Sequence, residues 1–77
     1  MKMTGEQAVA AAEALADRHI ENAVEQIARI VAEHGGTDEE IESAMAHQRE
    51  ALSLWKQGLM GDVERFVADP EAAPGLN

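Results

Sequence analysis

The side chains able to do acid–base or metal chemistry are fifteen carboxylates and three histidines, and there is no cysteine. Without thiols the chain has no disulfide, no thiolate metal site and no cysteine nucleophile. Helical proteins of the di-iron type hold metal through Glu-x-x-His pairs on facing helices. Here the residues three before His19, His34 and His47 are Ala16, Val31 and Ala44, so that pattern is missing. His47 with Glu50 has the reversed order, and two ligands fall short of the three or four that a zinc-type site needs. Ser43 and Ser53 sit in helix-forming sequence rather than on a strained turn with an oxyanion environment. There is no H-E-x-x-H, no P-loop and no dinucleotide fingerprint, and "HGGT" at 34–37 lacks the strand that would give its glycines meaning. No catalysis, no metal and no cofactor are expected.

What the carboxylates do show is spacing. Glu13, Asp17, Glu21 and Glu25 recur every fourth residue, so on a helix they form a ladder with rungs about 6 Å apart that winds about 40° per rung. Like charges so placed cost a few tenths of a kcal/mol per pair. Arg18 lies three before Glu21, and Arg29 follows Glu25 by four, which leaves Glu13 and Asp17 as the rungs without a basic neighbour in helical reach. Glu39, Glu40 and Glu42 form a second acidic patch. A DNA strand carries one charge per roughly 3.4 Å, and the ladder has a little over half that density. An acidic rod of this kind could occupy the basic groove of a nucleic-acid-binding protein, as small phage-encoded inhibitors, anti-CRISPR proteins among them, do as a class. The plainer reading is a solvated face: the ladder costs at most about 1 kcal/mol in all, and a chain with a formal charge of −9 must put its carboxylates somewhere.

That charge also sets what the chain avoids. Direct binding to nucleic acid or to an anionic membrane needs positive charge. Glu6 and Glu13 interrupt the alanine-rich N-terminus, so no signal peptide is read. No run approaches the roughly 18 apolar residues of a membrane span. A cytoplasmic protein is expected.

The elements that carry these residues are two helices. Thr4 and Gln7 have capping-box spacing, and no Gly or Pro interrupts residues 6–34, so a helix is expected over about 4–34. Val9, Ala16, Ile20, Ala23, Val24, Ile27, Ile30 and Val31 gather on one side of it at 100° per residue. Gly35 or Gly36 supplies a left-handed C-cap, with a turn at 35–37. Thr37 and Glu40 make a second capping box, and Asp38, Glu39, Glu40 and Glu42 suit the positive end of a helix dipole. The second helix is expected over about 38–68. Its stripe is Ile41, Met45, Gln48, Leu52, Trp55, Leu59, Val63 and Phe66, and it runs through Gly58 and Gly61, where a kink at 58–61 has its natural place. Pro70 ends the helix, and residues 70–77 read as a disordered acidic tail.

The fold expected is therefore all-α: two long antiparallel helices in a helical hairpin over residues 1–69. A hairpin covers only one side of each stripe, so pairing with a second copy into a four-helix bundle is expected. Ile20, Ile27, Met45, Gln48, Leu52, Trp55, Leu59 and Phe66 would form the core or dimer interface, with Gln48 fixing register or reaching to the edge. Two functions follow. One is an acidic inhibitor or adaptor, contacting a basic, nucleic-acid-binding protein through Glu13, Asp17, Glu21 and Glu25 with Glu39, Glu40 and Glu42. The other is a small assembly or secretion chaperone that holds a partner helix on its apolar stripe.

Overall fold

The computed structural model describes residues 4–68. Two helices pack against each other as an antiparallel hairpin: α1, Gly5–Glu33, and α2, Asp38–Ala68. No strand occurs among the described residues. The tail expected at 70–77 lies outside them.

Each helix begins in the way its cap residues dictate. Thr4 is extended at φ −73°, ψ 164°. Its hydroxyl accepts from the Gln7 N–H at 3.1 Å, and its own N–H donates to Gln7 Oε1 at 2.9 Å. Thr37 and Glu40 repeat the reciprocal pair at 3.2 and 3.0 Å. Two otherwise orphaned backbone donors are satisfied at each start.

Between the helices the chain makes a Schellman turn. Gly36 N–H donates to Val31 O at 2.9 Å and Gly35 N–H to Ala32 O at 3.1 Å, the nested pair that defines this cap. Gly35 takes the left-handed conformation, φ 83°. Gly36 is needed for a different reason: a Cβ there would collide with the Val31 side chain and carbonyl. At the other end of the hairpin, a Cβ on Gly5 would lie 2.5 Å from Val67 Cγ1, so glycine lets α2 close onto the start of α1.

α2 is unbroken through Gly58 and Gly61. Neither glycine has a neighbour within 4 Å of where a Cβ would stand, so neither is required by packing. Both stay helical because the contacts with α1 on either side outweigh about 1 kcal/mol of lost propensity at each.

The core is thin. Ala16 and Val24, each 1% exposed, are the buried residues among those described. Around them Val9, Ile20, Ala23, Ile27 and Val31 of α1 and Ile41, Met45, Leu52, Leu59 and Val63 of α2 are half-buried. The small side chain of Ala16 lets the two backbones come close. Three residues of the apolar stripes stand out from the seam: Ile30 is 50% exposed, and Trp55 and Phe66, expected at the core or a dimer interface, are each 42% exposed. The cause is geometric. One neighbouring helix covers a stripe narrower than the roughly 100° over which the apolar residues spread, and the seam of α2 is turned away from Trp55 toward Lys56, which is half-buried.

Candidate functional site

Two contacts across the hairpin fix which way each helix faces. On one edge, Lys56 Nζ donates to Asp17 Oδ1 at 2.6 Å. On the other, the rings of His19 and Trp55 lie 5.0 Å apart at a 55° tilt, within the range of favourable aromatic contacts. Asp17 and His19 are about 160° apart around α1 (two steps of 100°). The hairpin thus has an Asp17–Lys56 flank and a His19–Trp55 flank.

The Asp17–Lys56 flank gathers carboxylates from both helices. At the open end of the hairpin an open groove of about 950 Å³ is lined by Glu6, Val9, Glu13 and Asp17 of α1 and by Glu64 and Val67 of α2. Val9 and Val67 give it an apolar floor between the acids. Glu64 belongs to this site only because the helices run antiparallel in this register, and helical spacing within α1 could not have found it. Glu6 falls two turns before Glu13, on the same side of α1.

Lys56 changes the charge balance of the ladder. Asp17, which has no basic neighbour along α1, is paired to a residue 39 positions away, with side chains 27% and 54% exposed for Lys56 and Asp17. The hydrogen bond that Lys56 donates to Asp17 holds the ammonium above its ordinary pKa despite partial desolvation, and the charges of Asp17 and Glu13 push in the same direction. The intrahelical pairs anticipated for Glu21 and Glu25 do not form: among the described residues the other ion pair is Arg65 with Asp62. Glu13, Glu21 and Glu25 are exposed and unpaired. A long lysine reaching across from the half-buried edge of α2 therefore corrects the expectation that Glu13 and Asp17 are equally uncompensated.

The second acidic patch divides. Glu40 is committed to the cap, where the hydrogen bonds from the Thr37 backbone and then the Thr37 hydroxyl hold its carboxyl below the usual value. Glu39 and Glu42 are exposed, but they lie at the turn, about 30 Å along the axis from Glu13. The structure does not merge them with the groove.

The residues expected at a core or dimer interface divide as well. Ile20, Ile27, Met45, Gln48, Leu52 and Leu59 are half-buried, and their helix positions face the α1–α2 seam. Trp55 and Phe66 stand outside it on the His19–Trp55 flank. Helical spacing also places the exposed Leu15 and Ile30 there.

The other two histidines are used locally. His34 Nδ1 donates to Ile30 O at 2.8 Å and His47 Nδ1 to Ser43 O at 2.9 Å, with the tautomer set by the carbonyl acceptor. Among the described residues no three of His, Asp and Glu converge as metal ligands. No helix among them is long and apolar enough to cross a membrane. The chain matches no family model, no curated protein and no solved structure.

Proposed function

We propose that this protein is a non-catalytic binding module that presents its Asp17–Lys56 flank to a basic surface of a partner protein, of the kind that otherwise holds nucleic acid. The observation that carries this reading is the convergence of Glu6, Glu13 and Glu64 from two helices around one open groove with an apolar floor. Carboxylates spread for solubility alone have no reason to meet across a hairpin around half-buried valines. Cationic side chains with apolar stems, lysine and arginine, match both features. The working unit is a pair of hairpins assembled as a four-helix bundle, which doubles the acidic surface available to the partner.

The test is capture from host lysate on the immobilised protein, with elution in rising salt and identification of what is released. A basic nucleic-acid-binding protein released at moderate salt is expected. The variant carrying Glu13→Gln and Glu64→Gln should bind it roughly tenfold more weakly, since rim charges govern capture and salt dependence. Asp17 is the wrong residue to replace, because its loss would strand Lys56. Equal binding by the folded double variant sinks the proposal.

A second reading draws on the exposed Trp55, Phe66, Leu15 and Ile30: a small chaperone holding a partner helix by its apolar face. Its binding would persist through high salt and would be lost in a folded Trp55→Ala variant.

A further inference from the structure

The paired assembly proposed above needs a surface, and the stripe expected to supply it is largely spent inside the hairpin. We infer that the His19–Trp55 flank is the interface, and that its occupant is a second copy of this chain.

Charge is the first reason. Along α1 from residue 8 to 30, the carboxylates Glu13, Asp17, Glu21 and Glu25 wind over the opposite flank and the outer face. Along α2 from residue 43 to 66, Glu50 and Glu64 fall outside this flank, and Asp62 is paired to Arg65. One flank of a chain with formal charge −9 is therefore free of unpaired acid along its middle. Docking by the acidic flank would set carboxylate against carboxylate, so a second copy is favoured here. A cationic partner would be drawn to the other flank.

Unspent apolar surface is the second. Trp55 and Phe66, each 42% exposed, and Ile30, 50% exposed, fall on this flank. Among the described residues Ala16 and Val24 are the buried ones, and cores below about 70–80 residues seldom suffice alone, so a second copy that covers this flank adds what the hairpin lacks.

Position is the third. α1 spans Gly5–Glu33, and His19 is its midpoint; Trp55 lies two residues from the midpoint of α2, Asp38–Ala68. Oligomers of this kind are mostly two-fold symmetric. A two-fold axis lying in this flank and crossing both helices at the His19–Trp55 level places both aromatic pairs at the centre. Ile30 and Phe66 stand eleven residues from that level in opposite directions along the hairpin, about 16 Å away. The axis therefore brings Ile30 of one copy level with Phe66 of the other.

This inference rests on the paired assembly, and the test separates the two. The chain has one tryptophan and no tyrosine, so its emission reports Trp55 alone. Sedimentation equilibrium and a fluorescence dilution series are run together on the full chain. A dimer is expected, with emission shifting to the blue as concentration rises and Trp55 becomes buried. Leu15→Glu should raise the dissociation constant tenfold or more, while Gln57→Glu, which adds the same charge on the opposite side of α2, should leave it unchanged. A monomer at every concentration overturns both the interface and the paired assembly. A dimer whose Trp55 emission is constant, or which Leu15→Glu and Gln57→Glu weaken equally, overturns the interface and leaves pairing to another face. Should Leu15→Glu lose helicity, the wild-type dilution series decides alone.

Discussion

Lys56 Nζ lies 2.6 Å from Asp17 Oδ1, joining residues 39 positions apart across the hairpin. This contact is the one place where α2 answers the acidic ladder of α1, and it makes the hairpin sensitive to alkali. Lys56 has a folded-state pKa above its ordinary value. Its contribution to stability is therefore complete below the unfolded lysine value, about 10.4, and is lost as pH rises through the raised folded value. Thermal melts from neutral pH upward should show that loss in the wild type and lose most of it in Lys56→Met. Both side chains are partly exposed, so the melting point of Lys56→Met near neutrality should fall only modestly. An unchanged alkaline profile in the variant would show that the pair contributes nothing.

The Thr37–Glu40 cap has the opposite sign. Glu40 has a folded-state pKa below its ordinary value because it accepts from Thr37, so its contribution is present above the unfolded glutamate value and is lost as pH falls through the depressed one. Thr37→Ala removes the hydroxyl that caps Glu40 N–H and should destabilise the hairpin by about 1 kcal/mol. The acid limb of the stability curve should flatten in Glu40→Gln. Chemical denaturation across pH 3 to 7 measures both effects, and a Glu40→Gln limb as steep as that of the wild type would count against the assignment.

The glycines separate into those the fold requires and those it tolerates. Gly35 sits at φ 83°, where a side chain is strained, so Gly35→Ala should cost about 1 kcal/mol. Gly61 is helical with open space at its Cβ position, and its place on the helix is away from both the seam and the His19–Trp55 flank. Gly61→Ala should therefore stabilise the protein by up to about 1 kcal/mol. The pair of melts is decisive in sign: a stabilising Gly35→Ala or a destabilising Gly61→Ala contradicts the assigned conformations.

What was legible in the sequence was local. Thr4 with Gln7, Gly35 with Gly36, and Thr37 with Glu40 each act within a few residues, and each forms as its spacing implies. Periodicity gave the width of each apolar stripe but not the line along it that faces the other helix. Trp55, Phe66 and Ile30 all fit the stripe, which by itself does not separate the hairpin seam from a second interface, and a single neighbour covers only part of its width. Pairing register across the turn is likewise invisible to the pattern within one helix. That is why the partner of Asp17 and the arrival of Glu64 beside Glu6 and Glu13 emerge only in three dimensions.

Salt should act on the two flanks in opposite directions. Binding of a basic partner at Glu6, Glu13 and Glu64 relies on attraction between exposed charges, which 0.5 M salt screens within a few ångströms compared with about 10 Å at 0.1 M. Self-association through the His19–Trp55 flank instead brings together two chains of formal charge −9, so screening removes repulsion while leaving the apolar contact intact. Raising salt from 0.05 to 0.5 M should release the partner and hold or tighten the dimer. Sedimentation of the protein alone, set beside partner capture over the same salt series, measures both. If dimer and partner complex weaken together, charge drives both contacts and the division of labour between the flanks fails.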